Sequence, residues 1–388
     1  SYEPQRITFA SGDRVTFDRV LIGEVWFAGG QSNMEMPLGG FWQCPVTDAN
    51  EIIARADAKS GKLHYVKIPH AAAYTPQDRT AGSWTPCTTA TAAKFTAAGY
   101  FFAEMLNDVL GVPVGIIDCS WGGSRVESWM SREVLSGYSD IDLTEEGISR
   151  VAQHLRPMVM YNAMLRPVAG YTVRGFLWYQ GESNVGRYMD YAARLADMVS
   201  LWRGLWGRDD LPFYYVEIAP FEYGNGKSPY LREAQCRAQE LIPNSGMICT
   251  NDLVEHYEFC NVHPKNKRDV GYRLAFMALN KTYGMKEIAC QSPQYESMEI
   301  RDGKARIRFK YMDQGFNRMA DIRGFEICGA DKVFYPADAV VENQFALVVS
   351  SEKVPEPVAV RYCFHDFQPG NLADTRELPV VPFRTDDF

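Results

Sequence analysis

Between residues 22 and 284 the chain alternates short apolar runs with stretches of helical period. The apolar runs are EVWFA (24–28), PVGIIDCS (113–120), VRGFLWYQ (173–180), PFYYVEIA (212–219) and GMICTN (246–251). They are rich in Val, Ile, Phe and Tyr and alternate little with polar residues, as strands covered on both faces do. Between them lie helical patterns. Residues 96–111 end in Gly111 with Pro113 beyond, a stop signal. Residues 188–207 place Leu195, Met198, Trp202 and Leu205 on one face, and Gly207 closes the pattern. Residues 228–244 offer Ser228 as an N-cap and Pro229 in the first turn. Residues 266–284 place Val270, Leu274 and Met277 on one face. Strand–helix alternation predicts a parallel sheet with helices on both sides.

After Gly284 the period changes. KARIRFKYM alternates apolar and polar positions, and RGFEICG, FALVVSS and VAVRYCF are short β-type runs broken by turn residues. Residues 285–388 read as a β-rich accessory module of antiparallel strands. Residues 1–21 also read as β and could pair with that module. The domain division expected is therefore 1–21, 22–284 and 285–388.

The chain has 388 residues, 46% of them hydrophobic, enough for a sizeable core. The net charge of −8 argues against a nucleic-acid partner. No apolar run is long enough to span a membrane. Nine scattered cysteines, with no CxxC and no metal-finger spacing, read as buried free thiols with a bridge or two at most. No cofactor or metal is implied: the cluster EHYEFCNVH matches no zinc spacing.

Ligands of an open parallel sheet bind beyond the C-terminal ends of its strands. The loops at those ends read GGQSNME, CSWGGSRVESW, YQGESN and DLVEHYEFCNVHPKNK. Together they hold the parts of acyl transfer. A serine needs a base within reach and donors aimed at the developing oxyanion. Ser32 can be the nucleophile and His263 the base. Gly122 or Gly123 can offer a backbone N–H, and Gln180 and Asn184 can offer side-chain amides.

GQSNM, CSWGGSRVESW, WYQGESN and NVHPKNK, with YNAM at 161–164 and the tail from 358 onward, resemble the sialate O-acetylesterase branch of the SGNH hydrolases over nearly the whole chain. The resemblance implies a flavodoxin-like three-layer αβα SGNH hydrolase domain that removes acetyl esters from carbohydrate without a metal. It implies Ser32 as nucleophile and His263 as base. It implies an oxyanion hole of Ser32 N–H, Gly123 N–H and Gln180, with Gly122 and Asn184 in reserve. Arg125, Gln31 and Glu182 are candidates for substrate binding. Many SGNH hydrolases carry Asp three residues before the histidine, and here that residue is Cys260. A thiol cannot stabilise imidazolium as a carboxylate does, so His263 is expected to be oriented by the Asn261 carbonyl, with Asp252 and Glu255 as alternatives.

The function expected is a serine esterase acting on an acetylated carbohydrate, most of all O-acetylated sialic acid. The alternatives are an acetylxylan or pectic-sugar acetylesterase and, in another class, a carbohydrate-binding protein with a relict site. The sequence opens on Ser1 without a signal-peptide pattern, and with a carbohydrate substrate this sets an expectation of an extracytoplasmic protein whose leader is missing here. It does not specify an oligomeric state.

Overall fold

The computed structural model describes all of residues 1–388. It opens with a hairpin of β1 (Gln5–Ser11) and β2 (Asp13–Val20). These strands pair with each other and with no third strand. The expected pairing with the C-terminal module is therefore not formed. Tyr2, just ahead of the hairpin, is held by the helix Ala97–Leu110, where Asn107 Nδ2 donates to its hydroxyl at 2.9 Å.

The central sheet has seven strands. In chain order these are β3 (Glu24–Gly30), β4 (Leu63–Lys67), β5 (Thr85–Pro86), β6 (Val114–Ser120), β7 (Phe176–Tyr179), β8 (Phe213–Val216) and β9 (Ser245–Ile248). In space the order is β5-β4-β6-β3-β7-β8-β9, all parallel except β5. Without β4 and β5 the order reduces to β6-β3-β7-β8-β9, the flavodoxin-like arrangement with its switch point at β3. Five of these strands coincide with the apolar runs of the sequence. The short pair β4 and β5 lies at the sheet's edge, and β4 is only partly covered, so no long apolar run marks it.

Alternation along each strand divides the core in two. Trp26 points to the side of α1 (Ala97–Leu110) and α4 (Arg268–Lys281), where its ring meets Phe102 at 5.1 Å. Phe27 points to the side of α2 (Tyr191–Trp206) and α3 (Ser228–Leu241), against Trp202 at 5.5 Å. Full burial of a side chain such as Phe27 stabilises the fold by about 1.5–3 kcal/mol. The predicted helix faces are the buried ones: Leu195, Met198, Trp202, Val270, Leu274 and Met277 all lie in the core.

Residues beyond 290 form two antiparallel four-stranded sheets. One contains β10 (Gln294–Arg301), β11 (Lys304–Lys310), β14 (Asp338–Asn343) and β15 (Ala346–Ser350). The other contains β12 (Phe325–Cys328), β13 (Phe334–Pro336), β16 (Ala359–Tyr362) and β17 (Phe383–Arg384). They face each other across a shared core that includes Ile307, Leu347, Ile327 and Val360. This sandwich docks on α3. Ser228 is the first helical residue rather than the N-cap; the helix start is capped from the tail. The Asp366 carboxylate accepts from the backbone N–H groups of Asn225, Gly226 and Ser228 and from Ser228 Oγ at 2.7–3.2 Å. Burial alone would raise the Asp366 pKa, but these donors hold it below the usual carboxylate value. Arg384 adds a two-armed ion pair with Glu233. All nine cysteines are free thiols.

Candidate active site

β3 ends in Gly29-Gly30, and at Gly30 no other residue fits. Gly30 has φ +142°, and a Cβ on it would lie 2.2 Å from the Tyr179 carbonyl of β7. The chain can therefore leave the sheet while Gln31 N–H still donates to that carbonyl at 3.0 Å. Ser32 follows at the start of a single helical turn, Ser32–Glu35. The Ser32 N–H has no acceptor in the protein, and its hydroxyl makes no hydrogen bond.

The loop after β6 lies against this turn. Trp121 N–H donates to Gly30 O at 3.0 Å, and a Cβ on Gly122 would touch Ser32 Cβ at 3.4 Å. The two glycines differ. Gly122 N–H donates to Glu35 Oε2 at 2.7 Å and is engaged, so the reserve role for Gly122 falls. Gly123 N–H has no acceptor in the protein. Gly123 holds φ +75°, and a Cβ there would lie 2.9 Å from the His154 ring, so both conformation and space require glycine. Glu35 also takes Lys67 at 3.1 Å and His70 at 2.8 Å. Burial works against the Glu35 charge, but His70 and Lys67 override it and hold the pKa at about 2. The His70 ring stacks on Trp121 at 4.5 Å with parallel planes.

The loop after β7 corrects several expectations. Gln180 is fully buried, and its Nε2 faces three acceptors: Gln31 Oε1 at 3.2 Å, Ser124 O at 3.1 Å and Asn184 Oδ1 at 2.8 Å. An amide nitrogen has two hydrogens, so none remains for a substrate oxyanion. Asn184 is equally enclosed. Its Oδ1 accepts from Gln180 and from Val126 N–H, and its Nδ2 donates to Glu127 at 2.9 Å. Gln31 is buried, and its Oε1 takes N–H groups of Gly181 and Ser183 as well as the Gln180 amide. These three residues tie the loops to one another and present no group to a substrate. Glu182 does the same: its Oε1 accepts from Asn33 Nδ2 at 2.5 Å. Burial raises its pKa.

Arg125 stands differently. It is half-buried and its Nε donates to Ser183 O at 3.3 Å, but its guanidinium has no carboxylate partner. Neighbouring Glu127 is instead paired with Arg194 and Arg187.

The last loop brings His263 beside the first. Asn33, next to Ser32, donates to the carbonyl of Val262, next to His263, at 2.9 Å. Its Oδ1 accepts from the fully buried Lys267 Nζ at 2.8 Å, and Lys267 also donates to Pro264 O at 2.8 Å. One asparagine thus staples three loops. His263 Nε2 is buried and unpartnered. Burial, and then the Lys267 charge, lower the His263 pKa to about 4. Lys267 is itself lowered by burial, opposed by the facing Glu182.

The expected orienting groups do not reach the ring. Asp252 forms a two-armed ion pair with Arg273 at 2.7 and 2.6 Å. Glu255 is spent on a capping box with Glu258. Asn261 contributes its side chain rather than its carbonyl: its Oδ1 accepts from His263 N–H at 2.9 Å. The neighbour of His263 Nδ1 is the Cys44 thiol, at 3.8 Å. Sequence reasoning missed Cys44, Asn33, Lys267 and Glu35. Asn33 and Lys267 lie inside the quoted motifs and could have been suspected there. Nothing in the sequence pairs Cys44 with a histidine 219 residues away.

The arrangement collects a serine with an unengaged hydroxyl, two free backbone N–H groups and a buried imidazole with a bare nitrogen. These are the parts of acyl transfer. No set of three or more His, Cys, Asp or Glu side chains converges as a metal-ligand group. No helix is long and apolar enough to cross a membrane.

A family model described as carbohydrate esterase, sialic acid-specific acetylesterase, matches residues 22–280. Mouse sialate O-acetylesterase is 26% identical over 401 residues, covering 89% of this chain and 73% of the relative. The Pongo abelii sialate O-acetylesterase is 27% identical over 373 residues, covering 89% and 70%. The crystal structure of a carbohydrate acetylesterase from Xanthomonas citri superposes with TM-score 0.88 at 34% identity, covering 100% of this chain and 86% of that one. The protein is thus a carboxylic-ester hydrolase with the SGNH-type αβα fold, and it belongs to the sialic acid-specific acetylesterase family of carbohydrate esterases.

Proposed function

We propose that this chain removes O-acetyl groups from sialic acid by a serine mechanism. Ser32 Oγ attacks the acetyl carbonyl while His263 Nε2 takes its proton. The oxyanion of the tetrahedral intermediate is held by the N–H groups of Ser32 and Gly123, the two that have no acceptor in the protein. His263 then gives the proton to the leaving sugar hydroxyl. Water, activated by the same imidazole, releases acetate from Ser32.

The observation that carries the choice of sugar is Arg125. It sits two residues from Gly123 with no carboxylate partner, and a guanidinium suits the carboxylate of a sialic acid. Neutral acetylxylan offers nothing for it. The test is acetate release from acetylated sialic acid and from acetylated xylan, side by side. Arg125→Ala is expected to raise KM for the sialic substrate about tenfold and to leave xylan turnover unchanged. Equal effects on both substrates, or a preference for xylan in the wild type, would move the assignment to a neutral glycan.

The chemistry also sets a pH profile. A general base must be unprotonated, and His263 is held at about 4. The acid limb of kcat/KM on an uncharged ester is therefore expected near pH 4, well below the usual imidazole value. Stability follows the same sign. Between about 4 and 6.5 the unfolded histidine binds a proton that the folded one rejects, so this contribution is lost as pH falls through that window. An acid limb at pH 6 or above would refute this assignment of the base.

We also place the enzyme outside the cytoplasm. That rests on the substrate class alone, since the nine free thiols include no disulfide that would support it.

A further inference from the structure

We propose that the Cys44 thiol is the positioning group for His263, in the place where other serine hydrolases put a carboxylate. This rests on the serine mechanism just described and extends it to a residue that carries no charge-relay acid.

The hydrogen-bond polarity decides the case. Asn261 Oδ1 can only accept. It takes the His263 backbone N–H at 2.9 Å and lies 3.4 Å from Cys44 Sγ. The S–H hydrogen therefore points at Asn261. That leaves the sulfur lone pairs facing His263 Nδ1, 3.8 Å away. A lone pair there selects the tautomer with hydrogen on Nδ1 and a bare Nε2. The bare Nε2 is the form required of a base, and it is the nitrogen found buried without a partner.

The thiol is held rigidly. Phe41 and Cys44 exchange backbone hydrogen bonds at 2.9 and 3.0 Å across a two-residue turn. Gly40 enters this turn at φ +77°, where a Cβ would strike the Cys44 carbonyl at 2.6 Å. Phe41 sets its ring edge-on to the imidazole at 5.3 Å. The turn thus grips the ring with an aromatic on one side and sulfur on Nδ1. The charged group acting on the ring is Lys267, just ahead of α4, with Glu182 set behind Asn33. A neutral thiol orients the imidazole without stabilising imidazolium, consistent with a base held on the acid side.

The test uses hydrolysis of p-nitrophenyl acetate, which needs no sugar contacts, by wild type and by Cys44→Ala, Cys44→Ser and Cys44→Asp. Cys44→Ala is expected to lower kcat about tenfold, the worth of one weak hydrogen bond, with KM little changed. Cys44→Ser should keep most of the activity, because a hydroxyl can accept from Nδ1 and donate to Asn261. Cys44→Asp should move the acid limb upward by about one pH unit or more, because a carboxylate at Nδ1 favours imidazolium. A moved limb shows that position 44 faces Nδ1, and the ring tautomer in Cys44→Ala separates positioning from a merely structural role. Wild-type kcat and an unmoved limb in both Cys44→Ala and Cys44→Asp would overturn the proposal. The His263 ring nitrogens read by NMR give a second measure that needs no turnover. The Nδ1–H tautomer should dominate in wild type and give way to a mixture in Cys44→Ala. An unchanged tautomer would refute the role of Cys44 even if the ester assay failed. Loss of all wild-type ester hydrolysis would instead count against the serine mechanism.

Discussion

Ser32→Ala is expected to reduce acetate release to background, a loss on the order of 10⁴- to 10⁶-fold. The fold should not notice. The Ser32 hydroxyl engages no other group, so its removal leaves no buried donor or acceptor unsatisfied. The melting temperature should stay within about 1 °C of wild type, since an unpartnered surface hydroxyl contributes little. Such a split, with activity gone and stability intact, separates a nucleophile from a turn residue. Retained hydrolysis in Ser32→Ala would end the serine mechanism. A wild type that binds sugar but releases no acetate would revive the reading of a binding protein with a relict site.

Asn33→Ala is expected to cost both stability and activity. Its amide receives Lys267 and donates to Glu182 and to the Val262 carbonyl, all in the interior behind the site. Removing it takes the side-chain donor from the Glu182 carboxylate and leaves Lys267 Nζ with the Pro264 carbonyl alone. A buried group left short of a hydrogen bond costs roughly 1–3 kcal/mol. Several degrees should be lost from the melting temperature. Turnover should fall by about a hundredfold or more, because a displacement near 1 Å between nucleophile and base carries that cost. A variant with wild-type melting and wild-type kcat would show that the staple between the Ser32 and His263 loops holds nothing.

The sequence was legible where a residue's own chemistry or periodicity settles the matter. Unbroken apolar runs gave β3 and β6–β9, because strands covered on both faces have no polar side to show. Helical period gave the buried faces of α2 and α4. The glycines of GGQSN marked a chain leaving a sheet, and Gly30 is required there by the Tyr179 carbonyl. Parallel topology alone places the four loops at one end of the sheet, and with them the candidates Ser32 and His263. The strands β4 and β5 and the separate pairing of the N-terminal hairpin were not legible, since pairing partners are a property of the assembled sheet.

Tertiary structure decided which donors are free. An amide or a glycine N–H can always serve an oxyanion, judged by type. Gln180, Asn184 and Gln31 satisfy one another across two loops, and Glu35 claims Gly122, so four plausible binding groups became bracing. The acids near His263 went the same way, Asp252 to Arg273 and Glu255 to a helical cap. The vacancy at Nδ1 was filled by a cysteine from a turn far off in the chain. Local sequence sets the inventory of donors and acceptors. Which of them remain unspent depends on groups brought in from distant loops, and only the folded chain fixes those meetings.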